Sequence, residues 1–402
     1  MLSNLLIADT DAVALIASLI DFLGPGGIER KFDQLSKAMQ HGSPLLKKYW
    51  IRPQGRLWLG VAEVCRSTSK SVHGDLRTQS ARVALVFARV LAVVVPTMPE
   101  WKRKEVRDRI LVDEPIAPIF IELNTSAHYI LRGYQLDWIR PSMTPGVRTA
   151  EMIVRGPDGE AEIECKSSTV DSGRKVTRRA FYELCDRIVH KFAAISRRTG
   201  EAKVEIHLGS RIRSSASWQH AVCSTVVDAL SDGDQHSLPD NGYVSAVWIE
   251  PVRALSDPDK IDYLRQTVSQ FDQGMMYVDR NPDGSVDRML TLVCRSLERD
   301  HVVKAIRKSL KGALHQFSGI RPARIVCYVP EVTSLEELKS GSALQVMTGE
   351  FFLKHDEFLH SVVYVSDPVE TQLEDGLESL IQGLTFTNAR FRGSFPADVT
   401  RS

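Results

Sequence analysis

Hydrophobic and polar positions alternate on both sides of a turn sequence in the middle of the chain. The turn is Gly-Pro-Asp-Gly at residues 156–159, and the alternating runs extend from Ala150 before it to Lys166 after it. Proline presets φ at the second turn position, aspartate bonds its own backbone, and glycine accepts positive φ. Alternation on both sides of such a turn predicts an antiparallel hairpin.

The register of this hairpin follows from the side chains that it places on each face. The predicted pairs, from the turn outward, are Arg155 with Glu160, Val154 with Ala161, Met152 with Ile163 and Ala150 with Cys165. This register makes one face apolar throughout, whereas a shift of one residue would invert every side chain. It also places Glu151 directly opposite Glu164, with Cβ atoms about 5 Å apart.

Two carboxylates in that arrangement repel and raise each other's pKa. A divalent cation would remove the conflict, since Mg²⁺ binds one or two carboxylates together with water and substrate phosphate. Lys166 lies on the same face as Glu164 and could orient a water molecule or neutralise a phosphate. The competing interpretation is a solvated strand face formed by Glu160, Glu162, Glu164 and Lys166.

Patterns in the rest of the chain indicate three regions. Residues 1–112 are predicted to be mainly helical, and their mixed-charge helix at 101–110 is predicted to be a solvated cover. In residues 113–240 the predicted order is a helix at 113–132, a strand at 134–139, the hairpin, a helix at 175–197 and a strand at 203–208. A polar stretch at 231–240 marks the next boundary. Residues 241–402 are predicted as an α/β unit, with strands at 243–249, 290–294, 324–329 and 361–365 and a helix at 300–317.

Two basic clusters are candidates for nucleic-acid contacts. The first opens the helix at 175–197 and consists of Arg174, Lys175, Arg178 and Arg179. Cations there oppose the helix dipole, so they indicate either phosphate contacts or solubilising charge. The second lies on the helix at 300–317 and includes Lys304 and Lys308, which line either a nucleic-acid groove or a solvent face.

Composition limits the classes of protein that fit the chain. Its 402 residues, 43% hydrophobic and 25% charged, are typical of a soluble globular protein of two or three domains. A net charge of +1 excludes a strongly basic protein, although not a local basic cleft. The six cysteines lack zinc or redox spacing, which predicts a reducing compartment. The longest apolar run, at 84–96, is predicted to be too short to span a bilayer, so no membrane partner is expected.

The order of the elements at residues 113–208, together with their acids, resembles the PD-(D/E)xK nuclease superfamily. The matching residues are Glu151 for the first acid, where Asp is commoner, Glu164 and Lys166 for the acid-x-Lys motif, and Glu122 for the Glu that many members carry in the first core helix. Cys165, between the second acid and the lysine, would offer a metal only its backbone carbonyl. A solvated helix Glu is the competing interpretation of Glu122.

The resemblance implies an α/β fold with a restriction-endonuclease-like αβββαβ core and a mixed sheet, a helical N-terminal region and a C-terminal α/β extension. It implies a cytoplasmic, Mg²⁺- or Mn²⁺-dependent endonuclease acting on nucleic acid, with DNA as the expected substrate, in defence against phage or foreign DNA. A homodimer, or a partner protein of a defence system, is the expected assembly. The alternative is a catalytically silent module that binds nucleic acid or a partner protein. A hydrolase with a Ser or Cys nucleophile is disfavoured, since no Gly-x-Ser-x-Gly elbow is present.

Overall fold

A computed structural model describes most of the chain as a mixed α/β protein. The described residues are 4–8, 11–40, 56–69, 78–112, 116–141, 149–157, 159–168, 171–195, 200–249, 273–280, 286–329, 343–366, 369–372, 376–380, 383–393 and 395–396. Within them lie ten α-helices and three β-sheets, which confirms the predicted α/β class.

The helices are α1 (Ala12–Leu23), α2 (Pro25–Gln40), α3 (Arg56–Ser69), α4 (Gln79–Val94), α5 (Glu100–Leu111), α6 (Ile116–Ile130), α7 (Arg178–Ile195), α8 (Ala216–Asp232), α9 (Val302–Leu314) and α10 (Ala343–Lys354). The strands are β1 (Asn4–Ala8), β2 (Gln135–Trp138), β3 (Met152–Gly156), β4 (Gly159–Ser167), β5 (Gly200–Leu208), β6 (His236–Ser237), β7 (Tyr243–Ile249), β8 (Gln273–Arg280), β9 (Val286–Ser296), β10 (Ala323–Tyr328), β11 (Leu359–Val365), β12 (Val369–Gln372), β13 (Gly376–Leu380) and β14 (Gly383–Thr387).

The chain divides into two compact units that do not follow the predicted boundaries. Unit 1 comprises residues 1–41, 50–169 and 303–402, and unit 2 comprises residues 42–49 and 170–302. Unit 1 therefore joins the predicted helical region to the hairpin, because Ile119 and Leu123 of α6 belong to the same buried apolar cluster as α1, α4 and α5. Residue 240 lies inside unit 2 rather than at a boundary.

The N-terminal part of unit 1 is mainly helical, as predicted, apart from one strand. β1 pairs antiparallel with β13, and β12 completes this three-stranded sheet. The central helix, α4, begins at Thr78, whose hydroxyl accepts a hydrogen bond of 3.1 Å from the Ala81 N–H. This bond satisfies one of the backbone donors that a helix leaves free at its start.

A six-stranded mixed sheet, ordered β14-β11-β10-β4-β3-β2, forms the other part of unit 1. The β3–β4 hairpin has the predicted register, with Arg155 opposite Glu160, Val154 opposite Ala161 and Met152 opposite Ile163. The predicted helix at 113–132 and strand at 134–139 correspond to α6 and β2. Residues of α6 pack on the apolar face of the hairpin, which is fully buried as the alternation predicts.

The strand that lies parallel to β4 is a long way from it in sequence. It is β10, which places Ile325 beside Glu164. The resemblance implied that the strand at 203–208 would complete this sheet, and that expectation is wrong. β5, which contains those residues, pairs with β7 and β9 instead.

Unit 2 contains its own five-stranded mixed sheet, ordered β6-β7-β5-β9-β8. Its apolar core combines this sheet with α7 and α8, and it includes Phe181, Val204 and Val226. Of the four strands predicted after residue 241, two belong to this sheet as β7 and β9. The other two, β10 and β11, extend the six-stranded sheet of unit 1.

One apolar helix of the described chain is long enough to cross a membrane. The segment Ser80–Thr97 passes by length and composition, and 56% of it is buried inside the protein. A second candidate arises only if the bent pair Ala12–Leu23 and Pro25–Gln34 counts as one span. The apolar run was predicted to be too short because it was counted without the rest of its helix. Buried core helices pass the same test, so the expected absence of a membrane partner stays a prediction.

Candidate active site

The two acids of the hairpin lie at the end where β3 begins and β4 approaches its last residues. Glu151 directly precedes β3, and its carbonyl accepts a hydrogen bond of 3.2 Å from the Ile139 N–H. Its Oε2 accepts a hydrogen bond of 3.0 Å from the Cys165 N–H. The side chain of Glu151 therefore crosses to β4 at the residue next to Glu164, one position beyond the paired part of the hairpin.

Glu164 is fully buried, and its two carboxylate oxygens differ in their contacts. Its Oε1 forms an ion pair with the Nζ of Lys166, as the same-face prediction expects. Its Oε2 is buried without a hydrogen bond from any described group. The interpretation as a solvated strand face is wrong, because Glu162 is only 3% exposed and Glu164 is 0% exposed.

The electrostatics of the two acids follow from burial. Burial, followed by the charges of Glu122 and Glu164, raises the pKa of Glu151 well above its ordinary value. Burial likewise raises the pKa of Glu164 to about 7, although the ammonium of Lys166 opposes the shift. Both acids therefore favour either a proton or a compensating cation at neutral pH.

Glu122 is a third buried acid near this pair, and it is held by α5. It is 1% exposed, so the interpretation as a solvated helix Glu is wrong. Lys102 approaches its Oε1 at 2.5 Å as an ion pair, and NH1 of Arg109 donates to its Oε2 at 2.9 Å. Glu105, on α5, accepts hydrogen bonds of 3.1 Å from both cations.

Sequence reasoning missed Lys102 and Arg109 because a helix of mixed charges was taken for a solvated face. Lys102 is 5% exposed, and its ammonium lies 5.3 Å from the ring centroid of Trp138. The available signal was their spacing of seven residues, which places both side chains on one face of a helix. An opposed Glu in the next helix could have completed that inference.

Cys165 contributes its backbone rather than its thiol. The side chain is buried, and burial raises the pKa of the thiol well above its ordinary value, with a smaller contribution from Glu151. A neutral, buried thiol is a poor nucleophile. The Cys165 N–H is the group that contacts Glu151, and the role of its carbonyl as a metal ligand stays a prediction.

The predicted basic residues fall into different units. The first group lies in unit 2, where the N–H of Lys175 donates to Asp300 at 2.7 Å and the N–H of Arg178 donates to Asp171 at 2.5 Å. Lys304 and Lys308 lie in unit 1, both exposed on α9. Arg179, also in unit 2, is 73% exposed in its side chain and pairs with Glu183. The structure thus separates the two clusters along the chain, and α9 shares its unit with the acids.

A divalent metal fits part of this donor set. No group of three or more His, Cys, Asp or Glu side chains is arranged to hold a metal within the described ranges. Two carboxylates and water nevertheless suffice for Mg²⁺ in proteins. Oε2 of Glu164 has no hydrogen-bond partner in the part of the chain that the structure describes, and Glu151 lies beside it. A cation at this position would relieve buried negative charge.

Comparisons with protein-family models, with curated proteins and with solved structures find no match to this chain. The function is therefore inferred from the geometry of the site itself.

Proposed function

We propose that this protein is a metal-dependent endonuclease that hydrolyses the phosphodiester bonds of nucleic acid, with DNA as the expected substrate. The observation that carries the proposal is the convergence of Glu151, Glu164 and Lys166 at the end of β4. There, one buried carboxylate oxygen of Glu164 lacks a hydrogen-bond partner among the described groups. Acids left in this state favour binding of a cation.

The order of elements in unit 1 supports the proposal. Helix α6 is followed by β2, β3 and β4, and after the residues of unit 2 the chain continues with α9 and β10. β10 lies parallel to β4, next to the second acid. This succession has the αβββαβ order of the PD-(D/E)xK core, with unit 2 inserted in the chain between the third strand and the second helix. The core proposed here therefore differs in its second half from the one that the sequence indicated.

Each residue of the site has a distinct proposed role. Glu151 and Glu164 would hold Mg²⁺ or Mn²⁺, with the backbone of Cys165 beside them. When bound, the metal would lower the pKa of a water molecule and polarise the scissile phosphate. Lys166, whose side chain is 25% exposed, would release Glu164 and donate to the attacking water or to the phosphate. Lys304 and Lys308 would contact the nucleic-acid backbone, since Lys and Arg provide most such contacts.

The second candidate function is a catalytically silent module that binds nucleic acid or a partner protein. The observation that favours it is the ion pair between Lys166 and Glu164, which engages the proposed catalytic amine. Such a module need not bind a divalent metal at the acids. The proposal also includes a role in defence against phage or foreign DNA and a cytoplasmic location. It further includes assembly as a homodimer or with a partner protein.

A cleavage assay with matched variants tests the proposal. Plasmid, linear duplex, single-stranded DNA and RNA would be incubated with Mg²⁺ or Mn²⁺, with EDTA as the metal-free control. Wild-type protein, Glu164→Ala and Lys166→Ala would be compared with Lys354→Ala, an exposed lysine on α10. We expect cleavage that requires metal, falls at least about 100-fold in the two site variants and survives in the control. Equal cleavage by wild type and Lys166→Ala would rule the assignment out.

A further inference from the structure

The two oxygens of Glu122 are each occupied by a different cation. Lys102 forms an ion pair with Oε1 at 2.5 Å, and Arg109 donates to Oε2 at 2.9 Å. The contact of Lys102 with Oε1 is an ion pair without hydrogen-bond geometry. Glu151 and Glu164 differ from Glu122, because Glu151 receives a backbone N–H and Oε2 of Glu164 has neither a hydrogen bond nor an ion pair among the described groups. The three acids of the site are therefore not equivalent as ligands.

The cations of α5 form a balanced cluster with their acids. Lys102 and Arg109 bind both Glu105 and Glu122, so two positive charges meet two negative charges. The side chains of Lys102 and Glu122 are 6% and 2% exposed, respectively. Removing one partner from a buried cluster of this kind leaves an uncompensated charge at a large cost in stability, so the four side chains hold one another in place.

Helix α6 connects this cluster to the hairpin. The hydroxyl of Ser126 lies 3.5 Å from the Sδ of Met152 at the start of β3. Glu122 is one turn earlier on the same helix, and its charge acts on both Glu151 and Glu164. The charge of Arg109 also reaches Glu151, since both Glu122 and Glu151 contribute to the electrostatic surroundings of its guanidinium.

We infer that Lys102 and Arg109 are positioning residues that keep Glu122 ion-paired and out of the metal site, which leaves Glu151 and Glu164 to hold a single divalent ion. This inference rests on the proposed metal-dependent function. Glu122 then contributes a fixed negative charge near the ion and is not one of its ligands. Two cations of α5 thus limit the site to one metal ion, through their ion pairs with Glu122.

Calorimetric titration with Mn²⁺, without any substrate, tests this assignment. We expect wild-type protein to bind one ion and Glu164→Ala to bind none. Glu122→Gln keeps the size of the side chain and should retain one ion, within about tenfold of the wild-type affinity. Arg109→Gln should free an oxygen of Glu122 and remove a cation, so Mn²⁺ should bind about tenfold more tightly or with a second equivalent.

Two further variants separate positioning from stability. Arg109→Lys should restore the wild-type isotherm because it restores the charge, and Lys104→Gln, an exposed residue of α5, should not alter it. Thermal unfolding of each variant shows which proteins are folded during the titration. The inference is overturned if Glu122→Gln loses Mn²⁺ as completely as Glu164→Ala, if wild type binds two ions, or if Arg109→Gln changes stability alone. Failure of wild type to bind any Mn²⁺ would overturn the proposed metal-dependent function itself, and the inference with it.

Discussion

The backbone N–H of Cys165 donates a hydrogen bond of 3.0 Å to the carboxylate of Glu151, on the other strand of the hairpin. This bond brings the first acid of the site beside the second, Glu164, even though the strand pairing ends one residue earlier. It also fixes one oxygen of Glu151, so the site is partly organised before any ligand arrives.

The stability of metal-free protein should fall as the pH rises towards neutrality because of Glu164. Its pKa is raised from an ordinary 4.5 to about 7, chiefly by burial. The folded state therefore holds the proton more tightly than the unfolded state, and this contribution is lost between about pH 4.5 and 7. Glu164→Gln should gain stability relative to wild type over that window, by a few kcal/mol at most, since one pKa unit is worth about 1.4 kcal/mol. Urea unfolding of wild type and Glu164→Gln at several pH values measures this gain in the free energy of unfolding. A difference between the two proteins that does not change with pH would contradict the prediction.

His128 should contribute a dependence of the opposite sign. Burial and the charges of Arg132 and Arg324 lower its pKa to about 3, and Arg132 donates to its Nδ1 at 2.8 Å. The folded state holds the neutral ring, so stability is lost as the pH falls from 6.5 towards 3. His128→Gln should remove about 2 kcal/mol of the loss between pH 7 and pH 5. If the variant and wild type lose stability in parallel over that range, the assignment is wrong.

Arg321 should be required for stability through Glu162. It donates to Glu160 at 3.0 Å and to the buried Glu162 at 3.3 Å. Among the described groups, Arg321→Ala leaves Glu162 with only the Ser318 N–H, and the expected cost is about 2 kcal/mol.

Arg155 provides the control for this measurement. It pairs with Asp137 and Glu160 at the surface, where an ion pair is worth at most about 1 kcal/mol. Chemical denaturation of Arg155→Ala and Arg321→Ala gives the comparison. Equal costs for the two variants would show that the burial of Glu162 does not matter.

Nucleic-acid binding should depend on salt through α9. Lys304→Gln combined with Lys308→Gln should lower the slope of log affinity against log salt by about 2, since each phosphate contact contributes about 0.9. Fluorescence anisotropy with a labelled duplex, at salt concentrations between about 50 and 200 mM, measures this slope. Over that range, proteins that make several phosphate contacts lose about 10³–10⁵ in affinity, so the change in slope is measurable. Lys104→Gln with Lys354→Gln removes the same charge from α5 and α10. A slope that changes equally in both pairs would argue against a specific contact by α9.

Sequence patterns predicted the hairpin well because its information is local. The turn at Gly156 and the alternation around it determine the register of β3 and β4, and Gly133, with φ of +80°, ends the region of α6 where predicted. The acids and Lys166 followed from the register. Their burial did not, because β10, which lies beside Glu164, comes from a distant part of the chain.

The wrong predictions concern strand pairing, where two strands with similar local sequence patterns could each pair with β4. β5 has the apolar alternation of a core strand, and it is the first strand after a helix, so the resemblance to the nuclease superfamily implied that it completes the sheet of β4. Ile325 of β10 takes that place instead. The burial of Lys102 was harder to predict from α5 alone, because its partner Glu122 lies in another helix, although the spacing of Lys102 and Arg109 carried part of the signal.

The parallel pairing of β4 with β10 also has a consequence for the nascent chain. Glu164 and its neighbour Ile325 are separated by 161 residues (325 − 164). At a usual synthesis rate, β10 is made about 10–30 s after β4. The hairpin can close in microseconds, yet one side of β4 stays open until β10 has been made. The acids therefore reach their buried state late in synthesis, and a ribosome-bound chain that lacks β10 should be without the proposed nuclease activity.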